Sequence, residues 1–178
     1  ANGTLYATCD LSRKFLIIDP KSGKIQAAID TEGTGHWAAV LPDGSKAYIA
    51  NKNDRLFVSV IDIKARKMVG QVPMPKGTQG ITASPDGKRV IAIDFTDPKF
   101  YVIDTATDTI TKSIDVGSNP HNIGLTPDGQ NLVVTVFGAS KVVFINTTTD
   151  RITGESPVPQ PHNLAISPDG HTAYVASQ

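Results

Sequence analysis

The ten residues Pro120-His-Asn-Ile-Gly-Leu-Thr-Pro-Asp-Gly129 return almost unchanged as Pro161-His-Asn-Leu-Ala-Ile-Ser-Pro-Asp-Gly170, and more loosely twice before. Aligned on the closing triplet, the copies stand at Pro42–Gly44, Pro85–Gly87, Pro127–Gly129 and Pro168–Gly170, spaced 43, 42 and 41 residues apart. A second marker keeps the same beat: an Asp or Asn closes an apolar run at Asp19, Asp62, Asp104 and Asn146, spaced 43, 42 and 42. Two markers with one period in the low forties define a chain built by repetition.

Each repeat divides into four short apolar runs, as at Asn122–Thr126, Asn131–Phe137, Lys141–Ile145 and Arg151–Glu155. The runs are β-branched and aromatic, of strand length and too short for helices. Pro-Asp-Gly joins the first pair, its Asp-Gly supplying the positive φ of a tight hairpin. Asp104–Asp108 and Asn146–Asp150 join the last pair, their first side chains placed to accept backbone N–H groups two residues on. No segment carries a helical period. The expected fold is all-β, a β-propeller of about four four-stranded antiparallel blades of ~42 residues.

The chain, a single propeller domain or propeller fragment over 1–178, opens inside a blade. Residues 1–32 supply strands two to four of a first blade, 33–75, 76–117 and 118–158 are complete blades, and 159–178 adds two more strands, seventeen in all. A ring of four blades needs sixteen, so one strand is left over. Propellers carry roughly four to eight blades, and the surplus reads as part of a larger seven- or eight-bladed ring. A four-bladed ring, or a ring shared by two chains, stays open as an alternative. Open blade edges also invite self-association.

Seventeen basic and seventeen acidic residues cancel, and the pI is near 7.1, so no field gathers nucleic acid or anionic lipid. No apolar run approaches spanning length, so no membrane insertion is expected, and the residues ahead of the first strand are not expected to be a leader. Cys9 aligns with Asn51 and Ser177 and reads as a small residue ending a strand. Asn2 and Asn146 open glycosylation-type triplets that read as turns. Phosphate-loop, zinc-pair and nucleophile-elbow motifs do not occur.

The chemistry worth following stands six residues before each Pro-Asp-Gly proline: His36, Gln79, His121 and His162. The first strand of a propeller blade is innermost, so these residues should ring one mouth of the central channel, with Trp37 beside them. His36, His121 and His162 are candidate metal ligands, since imidazole binds metals readily from separate strands. The plainer role is a cap, each ring donating to a carbonyl of a neighbouring blade. Loops joining strands two and three share that face and vary between repeats, which marks the face free to specialise. Asn51, Asn53, Asp54, Asp94 and Asp97 are their candidate ligand oxygens, and polar hairpin loops are the simpler account. Trp37 either walls a ligand cavity or packs between blades. His171 follows the last turn and is expected in solvent.

Tyr48–Asn51, Tyr174–Ser177, the Ser-Pro-Asp-Gly turns at 84–87 and 167–170, Val102–Asp108 and Ile114–Pro120 together resemble the YVTN-type propeller repeat. The tyrosine of that repeat is Ile91 and Val133 in two blades, which keeps an apolar core position. The resemblance implies a periplasmic, extracellular or surface-layer protein. Its repeat is also similar to those of haem d1 and lactonase-like propellers. The expected function is therefore a non-catalytic binding scaffold without cofactor, presenting its loops to a protein or glycan. A metal- or haem-type redox protein, or a lactonase-like hydrolase, using the histidines is the alternative.

Overall fold

The computed structural model describes residues 3–52 and 55–178. Its described residues form seventeen strands in five antiparallel sheets. The first sheet holds β1 (Leu5–Cys9), β2 (Lys14–Ile18) and β3 (Ile25–Asp30). Three four-stranded sheets follow. They are β4 (Gly35–Val40), β5 (Lys46–Asn51), β6 (Phe57–Asp62) and β7 (Lys67–Pro73); then β8 (Gly80–Ala83), β9 (Arg89–Ile93), β10 (Lys99–Asp104) and β11 (Thr109–Asp115); then β12 (Pro120–Leu125), β13 (Asn131–Val136), β14 (Lys141–Asn146) and β15 (Arg151–Pro157). A last pair joins β16 (Pro161–Ile166) to β17 (Ala173–Ser177). The pattern of three, four, four, four and two strands is the one the repeats predict. A single 3₁₀ turn at Phe137–Ala139, within a strand-two to strand-three loop, departs from the expectation of no helix.

The blades stack face to face, and each seam is an apolar layer. Phe15, Ile17 and Ile29 meet Ala47, Ile49 and Ile61 between the first two blades. Tyr48, Val58, Val60 and Val72 meet Ile81, Val90, Tyr101 and Ile103 at the next seam. Ile91, Ile93 and Val102 meet Ile123, Leu132 and Val134 at the third. Inner strands neighbour one another in the order β4, β8, β12, β16, while β1 lies beside β4. The last blade is not closed onto the first, so the blades form an open arc.

The repeated motifs are explained by these seams. Gly44, Gly87, Gly129 and Gly170 all have φ between 70° and 76°, a conformation that penalises a Cβ. In each turn the Asp carboxylate accepts the backbone N–H two residues on, as Asp128 does from Gln130 at 3.0 Å and Asp169 from His171 at 3.0 Å. Glycine is also required by space, because a Cβ on Gly129 would lie 2.9 Å from Pro85 Cδ and one on Gly170 3.1 Å from Pro127 Cδ. Gly87, Gly129 and Gly170 thus each face the turn proline of the preceding blade, while Gly44 faces open space.

The tyrosine of the repeat is a blade-to-blade latch. Tyr48, fully buried, donates its hydroxyl to Asp108 Oδ1 of the next blade at 2.5 Å, and Lys46 Nζ reaches Asp108 Oδ2 at 2.8 Å. Burial and the Asp108 carboxylate push the Tyr48 phenol well above its ordinary value. Where Ile91 replaces the tyrosine, Arg89 keeps part of the latch by donating Nη1 to Thr147 O at 3.2 Å.

Candidate functional site

The inner strands begin at the end of the arc opposite the Pro-Asp-Gly turns, and they begin with a bulge. Gly35 pairs with Asn51 but Trp37 with Ala50, so His36 is an extra residue on β4. Pro120 pairs with Val136 and Asn122 with Thr135, which makes His121 the extra residue on β12. On β16 the same shift falls between Pro161 and Leu164, over His162 and Asn163. A bulge breaks the inward and outward alternation and re-aims its side chain. Hydroxyls of the preceding blade pin two of these bulges, Thr8 Oγ1 donating to His36 O at 2.9 Å and Thr135 Oγ1 to His162 O at 2.7 Å. The histidine carbonyls tie blade to blade, and the His121 ring does so too through Gln79 of the preceding blade, so blade-to-blade contact uses both carbonyls and a ring.

The re-aimed side chains line one cavity of about 790 Å³. Its wall is made by Tyr6, Ala7 and Thr8 of β1, by His36, Trp37 and Ala38 of β4, and by Lys52, Gln79, His121, His162 and Asn163. All five residues expected at the mouth therefore border the same space. Trp37 is 41% exposed, so its indole walls the cavity instead of packing a seam, and it meets His36 edge to face with centroids 6.2 Å apart. Among the described residues of the wall Lys52 is the one Lys, Arg, Asp or Glu.

His121 is the centre of the far side. It is 8% exposed, lies against His162 with ring centroids 3.6 Å apart, and meets Phe95 edge to face at 5.8 Å and Phe137 at 6.5 Å. Gln79 Nε2 and His121 Nε2 are 3.0 Å apart. An amide nitrogen only donates, so the imidazole accepts there and carries its proton on Nδ1. That Nδ1 is buried with no hydrogen-bond partner among the described residues. Burial, then repulsion from His162, lowers the His121 pKa to about 4, the His162 backbone offsetting part of the shift. His36 is also lowered, by burial first and then by Lys52, with Asp10 opposing at 3.7 Å from Nδ1. The mouth at neutral pH thus presents neutral His36 and His121 rings beside the Lys52 ammonium.

Placed this way, the three histidines do not fit a single ion. The His121 and His162 rings lie 3.6 Å apart, centroid to centroid, at an interplanar angle of 38°, while His36 stands with Trp37 and Asp10. Among the described residues no group of three His, Cys, Asp or Glu side chains is arranged to hold a metal.

The loop candidates divide: Asp94 borders a cavity beside the mouth together with Lys52, Gln79, His121 and His162, whereas Asn51 and Asp97 are in the wall of neither cavity. Asn51 is not a loop residue: it ends β5 fully buried, donating Nδ2 to Ser59 Oγ at 2.8 Å and to Phe57 O at 3.0 Å. Asn53 and Asp54 lie outside the described residues. Asp94 accepts from Thr96 N at 2.7 Å and from the Thr96 hydroxyl, and Asp97 accepts from Lys99 N at 3.1 Å and Tyr101 Oη at 2.6 Å. Both carboxylates are spent on shaping their loop. Phe95 and Phe137 were the residues sequence reasoning undervalued, and with Lys52, Gln79, His121 and His162 they line an adjoining cavity of about 310 Å³. Cys9 ends β1 with a free thiol, and His171 is exposed.

The profile of the YNCE-like beta-propeller family matches residues 8–128. The chain belongs to this family. That assignment agrees with the YVTN-type resemblance and covers the arc from β1 to the turn after β12, including His36, Gln79 and His121. No curated protein sequence matches the chain. Among solved structures it is similar to Kuenenia stuttgartiensis hydrazine synthase, with 25% identity, a TM-score of 0.89 and 97% of this chain covered. The alignment takes in 52% of that chain, so this propeller spans about half the length of the protein it matches. No helix among the described residues is long and apolar enough to cross a membrane.

Proposed function

We propose that this YNCE-like propeller is a non-catalytic binding module of an exported or cell-envelope protein, which docks a partner polypeptide on the histidine-lined mouth and its flanking loops. The observation that carries the reading is the composition of the cavity: a half-exposed Trp37, the Lys52 ammonium, and a buried His121 whose Nδ1 has no described partner. Apolar and aromatic walls with a few convergent polar groups are what a binding pocket offers. A large, stiff aromatic in such a wall gives contact area at low entropic cost. Export is supported by the resemblance of the repeats to surface-layer and periplasmic propellers.

The test is selection of a random twelve-residue peptide display library on the native protein, with a glycan array as a parallel arm. Retained peptides should lose at least tenfold in affinity on Trp37→Ala and on Lys52→Ala, and be indifferent to Lys64→Ala on the exposed β6–β7 turn. Retained sugars with that dependence would replace the polypeptide by a glycan. Peptides indifferent to Trp37 and Lys52 would overturn the mouth as the docking surface.

A further inference from the structure

The turns that join the third strand of a blade to its fourth carry charge unevenly. Their four copies run Asp19–Lys24, Asp62–Lys67, Asp104–Thr109 and Asn146–Arg151. The third place of the turn is Lys21, Lys64, Ala106 and Thr148, the fifth is Gly23, Arg66, Asp108 and Asp150, and the last is Lys24, Lys67, Thr109 and Arg151. At these places the first two blades hold five cations and the next two hold one. Lys21, Lys24, Lys64, Arg66 and Lys67 are all exposed, and among the described residues none of them makes an ion pair. In the later blades the turn carboxylates are met by lysines instead, Asp108 by Lys46 and Asp150 by Lys112. The even balance of charge over the whole chain thus conceals a basic ledge.

Two neighbouring blades build this ledge together. Gln26 is an extra residue of β3, between the pairs Ile17–Ala27 and Ile18–Ile25, and its carbonyl accepts Arg66 Nη1 of the next blade at 3.2 Å. Arg66 also displaces the latch of the repeat: Tyr48 donates to Asp108, whereas Tyr6, the counterpart of Tyr48, has Arg66 at the place of that carboxylate. A repeat rule broken at one seam is the pattern of a functional surface. The carboxylates beside the ledge are Asp19, Asp62 and, on the adjoining Pro-Asp-Gly turn, Asp43. Each already accepts hydrogen bonds within its turn, Asp19 from Lys21 N at 2.9 Å, Asp62 from Ala65 N at 2.7 Å and Asp43 from Ser45 N at 2.9 Å. Cations remain in excess. Ile63 N donates to Ser45 O at 3.0 Å, which sets the ledge at the Pro-Asp-Gly end of the arc, away from the histidine mouth.

We infer that this ledge docks an acidic segment of a partner polypeptide with aliphatic side chains interspersed. Opposite charge steers and orients such a segment. Ile25 and Val69, 60% and 49% exposed on β3 and β7, give its aliphatic groups a footing beside the cations. The N–H groups of Lys21, Gly23 and Ala65 are taken up by Asp19 and Asp62, so recognition falls to side chains and not to a backbone nest of the kind that holds phosphate. Residues 19–26 and 62–71 contain no aromatic side chain on which a nucleic-acid base could stack.

The probe is a fluorescein-labelled synthetic peptide, Glu-Glu-Val-Glu-Glu-Leu-Glu-Glu, titrated into the protein by fluorescence anisotropy at about 50 mM and about 300 mM salt. Saturable binding is expected at the lower salt, weakening about fivefold or more at the higher. The pair Lys64→Glu with Lys67→Glu, and separately Lys21→Glu with Lys24→Glu, should each weaken it about tenfold or more, because both turns contribute. Lys99→Glu, an exposed charge on the third blade, and Trp37→Ala at the mouth should leave the affinity unchanged. No saturable binding at millimolar peptide, affinity indifferent to salt, or affinity equal in the reversed variants would overturn the inference. Loss of binding in Trp37→Ala would move the peptide to the mouth and equally overturn it. Vesicles of anionic phospholipid, or a single-stranded oligonucleotide, bound in preference to the peptide and released by the same reversals would overturn the polypeptide as the occupant.

Discussion

Acidification should loosen the mouth before it disturbs the turns, and His121 is the group that decides it. Its folded pKa is about 4 against an ordinary 6.5, because the ring is buried beside His162 with His36 and Lys52 also facing it. A depressed imidazole is neutral in the native state, so the unfolded chain takes up the proton first as pH falls through 6.5. Stability from this group is complete above pH 6.5, declines between 6.5 and 4, and levels off below. Linkage over those two values gives a loss of about 2 kcal/mol between pH 7 and pH 5. For a domain of this size that is a fall in Tm of roughly 4–8 °C. His36 is shifted the same way and adds to the slope. The turn carboxylates Asp43, Asp86, Asp128 and Asp169 are lowered from 3.8 by their hydrogen bonds, so they lose their contribution only as pH falls below that value. The two windows are separable. Thermal unfolding by circular dichroism at pH 7, 6, 5 and 4.5 should show the decline in the native sequence and a much flatter profile in His121→Gln, which still reaches Gln79 with an amide. Parallel profiles for the two proteins would refute the assignment of the acid sensitivity to His121.

Three further outcomes follow from named contacts. Tyr48→Phe and Asp108→Asn should each destabilise, with a double-mutant coupling of about 1–2 kcal/mol in urea unfolding, because Tyr48 donates to that carboxylate; additive effects would remove the latch. Gly129→Ala should cost about 1 kcal/mol more than Gly44→Ala by the same assay, since both have positive φ but only at Gly129 would the new methyl meet Pro85 Cδ at 2.9 Å. Elemental analysis and a visible spectrum of chelator-free protein should show no stoichiometric metal and no chromophore; a metal or haem-like band lost in His121→Ala would argue for the redox alternative.

The blades were legible because their signals are local. Pro-Asp-Gly, the closing Asp or Asn of the third strand, and β-branched runs each specify a hairpin or strand from a few neighbours in sequence. The mouth was legible as a place but not as a geometry. Nothing in the order of residues says that His36 and His121 are extra residues in their ladders, because a bulge is defined by the register of the partner strand. The close approach of the His121 and His162 rings follows from two such bulges on adjacent blades. Asn51 misled for the opposite reason: its polarity suggested a loop, yet Phe57 O and Ser59 Oγ on the neighbouring strand accept from its amide nitrogen inside the blade. For Trp37 the sequence left cavity wall and seam packing both open, because neither size nor neighbours in sequence tell them apart; its 41% exposure beside the cavity decides for the wall.

Amide chemical-shift mapping with a library-selected peptide bears most directly on the mouth as the working surface of this propeller. The account predicts shifts concentrated at Tyr6–Thr8, His36, Trp37, Lys52, Gln79 and His121. Shifts confined to the turns around Asp43, Asp86 and Asp128, at the opposite end of the arc, would contradict it.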